Sequence, residues 1–278
     1  MIETSRGWLA GGPVGFVPTR GYLHEGHAVL VQAANAECDI SVASIFENPL
    51  PVGQFGNLIH YPSDVDRDLQ LLRAAQLDVA FVPRFEDVYP SSFATYVNPT
   101  GPLTERLEGI YNSASLRSVA TLMTKLFQLV RPDIAYFPQK DAQQVAVIRQ
   151  VVRDLNIDIT LCILPTSREQ SGLARSSRNA FLSSPEHQAA ILLYRALLEA
   201  KVLIDGGEYR SPLLEKAMRD LVAAEPLISL EYAAVCNPET FREVKQGAPG
   251  TMLAIAARIG SARLIDNIVW RIDRQWSL

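Results

Sequence analysis

Apolar residues along the chain gather in short runs separated by stretches of helical character. Runs at Val14–Pro18, Ile40–Phe46, Val79–Pro83, Ile134–Phe137 and Ile159–Leu164 are near-continuous in Val, Ile, Ala and Phe. They read as strands covered on both faces. Helices are predicted near Ala28–Ala34, Ser63–Ala75, Val119–Val130 and Ala142–Leu155. This alternation predicts an α/β fold, a doubly wound parallel sheet with right-handed crossovers. Such sheets bind ligands beyond the carboxyl ends of their strands. The His24–His27 segment, Asn48-Pro49 and Gln139-Lys140-Asp141 each follow a predicted strand, so they are expected to meet on one edge.

The character changes after about Leu182. Ser183-Ser184-Pro185-Glu186 carries a helix cap with proline in the first turn. The helix it starts should run to about Ile204 and stop at Gly206-Gly207, with a second helix over Leu213–Ala224. Strand-like runs follow at Glu231–Val235, Met252–Ala257 and Arg263–Val269. These predict a smaller α+β domain over residues 171–278, after a first domain over residues 1–170.

Composition narrows the function classes. At 278 residues, 48% hydrophobic and 20% charged, the chain is an ordinary globular one. A net charge of −4 gives no basic footprint, which argues against nucleic-acid binding. No apolar stretch reaches transmembrane length and the N-terminus has no signal-peptide pattern, so no membrane role and a cytoplasmic location are expected. The three cysteines, Cys38, Cys162 and Cys236, are widely spaced and read as reduced, mostly buried residues. No zinc pattern is present, so a metal is expected to arrive with a ligand.

The stretch Thr19-Arg20-Gly21-Tyr22-Leu23-His24-Glu25-Gly26-His27 carries the most chemistry. It joins a predicted strand to a predicted helix, and it holds two of only four histidines. Free backbone N–H groups and the helix dipole favour phosphate there. His-x-Gly-His at such a turn marks enzymes that attack the α-phosphate of a nucleotide. Glycine lets the backbone come close, and the imidazoles stabilise charge as pyrophosphate leaves. The ordinary alternative is a pair of structural or merely exposed histidines.

Together with other motifs, this segment resembles the pantothenate synthetase (pantoate–β-alanine ligase) family over nearly the whole length. Phe16-Val17-Pro18-Thr19 with Gly21–His27 is similar to the first family motif. Ser44-Ile45-Phe46, Asn48-Pro49, Tyr61-Pro62 and Arg67-Asp68 resemble the second. Tyr136-Phe137 with Gln139–Gln144 resembles the third. Pro165-Thr166, Arg168-Glu169, Gly172-Leu173-Ala174 and Ser176–Asn179 resemble the fourth, and Leu264-Ile265-Asp266-Asn267 the closing strand.

The resemblance implies a Rossmann-like sheet of the HxGH nucleotidyltransferase type with a C-terminal lid. It implies a two-step ATP-dependent ligase, with Mg2+, acting on a carboxylic acid and an amine, and a homodimer. A carboxylate attacks the α-phosphate, giving an acyl adenylate and pyrophosphate. An amine then attacks the acyl carbon, releasing AMP. Positioning and charge stabilisation dominate such phosphoryl chemistry.

By the same resemblance His24 and His27 contact the phosphates, His27 as proton donor, and Lys140 supplies a point charge. Arg178, Ser176 and Ser177 close over the triphosphate. Arg20, Gly21, Tyr22, Leu23, Glu25 and Gly26 line the nucleotide, as do Pro138, Gln139, Asp141, Ser167 and Arg175. Asn48, Gln144 and the position of Pro51 serve the acid. Asp68 is a candidate for Mg2+ or a solvated residue of a charged helix. Asp141 is alternatively a helix cap.

The departures from the family fall mostly at the site. Arg20 and Arg175 replace methionines. Pro51 replaces a glutamine that holds pantoate, with Gln54 the nearest substitute. Asn112-Ser113-Ala114-Ser115-Leu116 replaces Arg-Pro-Gly-His-Phe, Ser118 the next glycine, and Pro138 another glycine, removing an N–H donor. The N-terminus lacks most of the helix that usually precedes the first strand. The nucleotide charges are kept while the acid pocket is rewritten, so pantoate is expected to be a poor acid substrate, or at least not the best one. The arginines would suit a more acidic one, or are simply solvated. The other readings are a nucleotidyltransferase of the same fold whose product keeps the nucleotide, and an ATP-binding homologue without turnover.

Overall fold

A computed structural model describes residues 1–8, 11–48 and 63–278. Pro49, Pro51, Gln54, Tyr61 and Pro62 lie outside the described residues. The chain divides into two units: Met1–Pro138 with Gln144–Leu164, and Gln139–Gln143 with Pro165–Leu278. Residues 165–170 and the Gln139–Gln143 segment thus group with the second unit, whereas the sequence pattern puts both in the first.

The first unit opens with a short helix α1 (Ile2–Trp8), then β1 (Val14–Thr19), α2 (Glu25–Glu37), β2 (Ile40–Ile45), α3 (Val65–Ala74) and β3 (Val79–Phe81). Short helices α4 (Phe85–Val88) and α5 (Pro102–Glu105) lead to α6 (Glu108–Val130), β4 (Ile134–Pro138), α7 (Ala142–Asp154) and β5 (Thr160–Leu164). The five strands pair in parallel in the order β3-β2-β1-β4-β5. The predicted parallel sheet is present, each strand within a few residues of its expected place.

Chain direction across the sheet reverses between β1 and β4, the position where such sheets open a crevice. Phe16, Val17, Val42 and Ala135 are fully buried, which explains the lack of alternation in their strands. Gly15 lets α2 pack close to β1: a Cβ there would stand 3.0 Å from the Ala34 side chain and 3.0 Å from the Cys38 sulfur.

One helix starts much earlier than predicted. The apolar period suggests Val119, but α6 begins at Glu108 and absorbs Asn112–Leu116, with a kink at Asn112 (φ −153°, ψ 41°). Proline and glycine would resist a helix at these positions, whereas Ser, Ala and Leu accept one.

The second unit begins with a 3-10 turn at Gln139–Asp141 and resumes at Pro165 with a loop bridged at Arg168 and Ala174. A 3-10 turn (Ser177–Phe181) precedes α8 (Ser184–Asp205) and α9 (Ser211–Ala223). The predicted cap is a capping box: the Glu186 carboxylate accepts from both the N–H and the hydroxyl of Ser183 at 2.7 Å. Four antiparallel strands follow, β6 (Ile228–Cys236), β7 (Thr251–Ile259), β8 (Ala262–Trp270) and β9 (Trp276–Ser277). Leu193, Leu197, Leu214 and Met218 of the helices form one core with Val235, Leu253, Ile255 and Ile268 of the sheet. β9, two residues long, has no sequence pattern that could announce it.

Candidate active site

The His turn is built by two histidines that cap one helix. His24 is the N-cap of α2 and His27 its third residue. Nδ1 of His24 accepts the N–H of Gly26 at 3.2 Å, and Nδ1 of His27 accepts the N–H of His24 at 3.2 Å. This is the reciprocal geometry of a capping box, with imidazoles in place of hydroxyl and carboxylate. An accepting Nδ1 carries no proton in the neutral ring, so each proton sits on Nε2. The ring centroids stand 4.1 Å apart. The motif thus yields a fixed pair of Nε2–H donors at a helix N-terminus, where the dipole also favours an anion.

Asp68 sets the turn that delivers them. Its carboxylate accepts the N–H of Tyr22 and the N–H of Leu23, each at 2.7 Å. Gly21 (φ +87°) and Tyr22 (φ +48°) are both left-handed, a shape that the buried carboxylate holds against its strain. Thr19 adds to it, its hydroxyl donating to the Ser44 carbonyl at 2.6 Å. Asp68 is 1% exposed, which overturns its reading as a solvated residue of a charged helix. Burial raises its pKa above the usual carboxylate value, partly offset by the two N–H groups. Leu23 is fully buried and its N–H is taken by Asp68, so it shapes the turn and does not line it, while Arg20 and Glu25 are exposed. The Arg67 guanidinium stacks 4.7 Å over the Tyr22 ring.

In the second unit, Lys140 sits in the 3-10 turn. Its ammonium lies 3.1 Å from the Asp141 carboxylate, and its side chain is 13% exposed, so it is not a solvated surface lysine. Its backbone carbonyl accepts from Asn267 Nδ2 at 3.1 Å, as does that of Gln139. The Gln139 side chain turns to Asn267 and Ser277 instead. Pro138 ends β4 opposite Leu164.

The loop from Ser167 to Arg178 is pinned by a buried pair to which the sequence pattern assigns no role. Arg168 donates to Asp266 at 2.6 and 3.0 Å and to the Gly172 carbonyl at 3.2 Å, and stacks 3.8 Å over the Tyr194 ring. Gly172 (φ +91°) tolerates no side chain, because a Cβ would lie 2.4 Å from that ring. Arg175 N–H donates to the Ser167 carbonyl at 2.9 Å, closing the loop. Ser176 caps the following 3-10 turn through the N–H of Arg178, Ser177 is buried, and the Arg178 guanidinium donates to the Arg263 carbonyl at 3.1 Å.

The acid-pocket candidates divide. Asn48 Nδ2 donates to the Ser118 carbonyl at 3.2 Å and to its hydroxyl at 2.5 Å. A carbonyl only accepts, so this contact fixes which way the amide faces. Gln144 is half-buried near the start of α7, and Pro51 lies outside the described residues. Among the described residues no group of three or more His, Cys, Asp or Glu side chains is placed to hold a metal. All three cysteines are free, and burial raises each thiol pKa, Cys236 up to about 12, which leaves little thiolate. Among the described residues no helix is long and apolar enough to cross a membrane.

Comparison with known proteins agrees with this geometry. The family model described as Pantoate-beta-alanine ligase matches residues 1–269. A pantothenate synthetase from Chloroflexus aggregans is 46% identical over 269 residues, covering 96% of each chain. One from Dehalococcoides mccartyi is 44% identical over 257 residues, 92% of this chain and 96% of its own. Among solved structures, pantothenate synthetase from Thermus thermophilus superposes with a TM-score of 0.93 at 40% identity, covering 98% of each chain. Pantoate-beta-alanine ligase from Francisella tularensis, complexed with β-γ ATP and β-alanine, gives a TM-score of 0.78 at 28% identity, covering 96% of this chain and 95% of that one. A parallel α/β sheet unit followed by a small antiparallel one is thus the fold of this chain and of its relatives, and the chain belongs to the pantoate-beta-alanine ligase family.

Proposed function

We propose that the chain joins pantoate to β-alanine at the expense of ATP, through an acyl adenylate, with His24, His27 and Lys140 as its phosphate-binding side chains. The observation that carries this reading is the His24/His27 capping box, which leaves both donor nitrogens fixed at a helix N-terminus. A carboxylate oxygen of the acid bonds to the α-phosphorus as the bond to pyrophosphate breaks. Nε2–H donors stabilise the charge gathering on the phosphate oxygens, and His27 gives its hydrogen bond to the leaving pyrophosphate, which departs as the anion with the electron pair of the broken P–O bond. Lys140 adds a compact positive charge. The amine then bonds to the acyl carbon, the acyl–phosphate C–O bond breaks, AMP departs with the electron pair, and the amine sheds its proton.

Mg2+ in this reading arrives with the triphosphate, as is usual for an ion that keeps most of its water. Asp68 already accepts a backbone N–H on each oxygen, so we assign it to shaping the loop. The active form is proposed to be a cytoplasmic homodimer. Arg178, Ser176 and Ser177 are assigned to the triphosphate, and Gln144 and Asn48 to the acid.

The test is acid-dependent ATP–pyrophosphate exchange. Losing one preorganised donor costs about 3 kcal/mol in the transition state, roughly a hundredfold in rate. Folded His27→Ala and Lys140→Ala proteins that exchange at the wild-type rate would refute the assignment. Oxygen-18 placed in the acid carboxylate should appear in AMP, and its appearance in orthophosphate would indicate an acyl phosphate instead.

A further inference from the structure

The family match ends at residue 269, yet the chain continues into β9, which does more than extend a sheet. Ser277 meets the Gln139 carboxamide at both ends. Its carbonyl accepts from Gln139 Nε2 at 3.1 Å, and its hydroxyl donates to Gln139 Oε1. From the other side Gln139 Nε2 donates to Asn267 Oδ1 at 3.2 Å. The Asn267 amide then holds the carbonyls of Gln139 and Lys140, both at 3.1 Å. Asn267 is 3% exposed, so its end of these bonds is sheltered from water, while Gln139 and Ser277 are half-buried.

β9 is itself anchored. It pairs with β8, Ser277 against Val269 and Trp276 against Trp270. The Trp276 ring lies parallel to that of Trp270, centroids 5.8 Å apart. The indole N–H donates to Asp205 at 3.3 Å, and the Lys201 ammonium sits 5.6 Å over the ring. Two residues with four separate attachments are a built element, not a frayed end.

We propose that β9 is a positioning strand for catalysis: Ser277, through Gln139 and Asn267, fixes the Gln139–Asp141 turn and so presets Lys140 for the nucleotide phosphates. This rests on the role given to Lys140 above. A flexible lysine on a loose turn would have to be ordered in each catalytic cycle. A turn held by its side chain and by two consecutive carbonyls has that order beforehand.

The test compares the two half-reactions. Ser277→Ala removes one hydroxyl and keeps the strand. It should slow acid-dependent pyrophosphate exchange by about threefold to tenfold, the usual range for one hydrogen bond. Aminolysis of supplied pantoyl adenylate by β-alanine, which needs no charge on pyrophosphate, should keep its rate. Ser277→Thr should restore exchange. Ending the chain after Arg274 should deepen the same selective loss. Adding Ser277→Ala to Lys140→Ala should cause no further loss. Unchanged exchange in Ser277→Ala overturns the proposal, as does an equal loss in both half-reactions, which would indicate general destabilisation. Wild-type exchange by Lys140→Ala would instead overturn the role of Lys140 itself.

Discussion

The His turn of the first unit and the Lys140 turn of the second both present cations or donors suited to phosphate, but they are held in opposite ways. His24 and His27 hold each other over three residues of chain. The Lys140 turn is held by Asn267 and Ser277, 127 to 138 residues further on. One site element is made by local capping and the other by tertiary clasping. Asp68 reaches this turn from outside, 45 to 46 residues from the N–H groups that it accepts, and the Thr19 hydroxyl ties the chain before it to the Ser44 carbonyl. Local capping forms with its helix. Clasping requires that a whole sheet be in place first.

The comparison breaks most visibly at the ion pair below the clasp. Arg168→Met leaves Asp266 buried without its partner, next to Asn267. Removing one member of such a pair typically costs about 3–5 kcal/mol. Chemical denaturation should show that loss, and hydrogen exchange should show it centred on β8 and the Ser167–Arg178 loop. A loss below about 1 kcal/mol, the range of an ordinary surface pair, would mean that this pair is not what secures the region.

Asp68→Asn comes next. The amide can accept from only one of Tyr22 and Leu23, and it turns an N–H toward the other. A buried donor left unsatisfied costs roughly 1–3 kcal/mol. Exchange activity should fall about tenfold while the sheet stays intact by circular dichroism. Activity equal to the parent protein would show that the His turn needs no support from outside its own helix.

A smaller effect tests the acid pocket. Ser118 holds the Asn48 amide through its carbonyl and its hydroxyl, and the resemblance implies a glycine at the position of Ser118 and a glutamine at that of Pro51. Each lost substrate hydrogen bond should lower selectivity for pantoate about tenfold, from roughly 1–3 kcal/mol per unpaired buried group. Ser118→Gly should return part of it, read as kcat/KM for pantoate against other hydroxy acids and dicarboxylic acids. If pantoate is already the best acid at an ordinary ligase rate, the pocket is rewritten in sequence only.

The same contrast decides which features are legible in the amino-acid sequence. The parallel strands are legible because Phe16, Val42 and Ala135 are buried and leave continuous apolar runs. The His turn is legible because its partners lie three residues apart. The roles of Arg168, Asp266, Asn267 and Ser277 are illegible, since no local period relates them. Asp68 reads as solvated because its neighbours Asp64, Asp66 and Arg67 are charged, and only the folded turn shows what its carboxylate meets. The early start of α6 escapes the apolar period because Ser113–Ser115 carries none, although nothing in it forbids a helix.

The finest test separates the two duties of the histidines. His24→Asn keeps an N-cap acceptor for the Gly26 N–H, and His27→Gln keeps a side-chain acceptor for the His24 N–H, as in an ordinary capping box. Each should therefore leave the unfolding free energy within about 0.5 kcal/mol of the parent, whereas His24→Ala should lose about 1 kcal/mol. Pyrophosphate exchange should nevertheless fall about a hundredfold in the Asn and Gln proteins, because the imidazole donors are gone. Equal destabilisation by Asn and Ala would show that the His24 contact to Gly26 does no capping. Full exchange by the Asn and Gln proteins would show the reverse, that these imidazoles only cap the helix and that the phosphates are met by other groups.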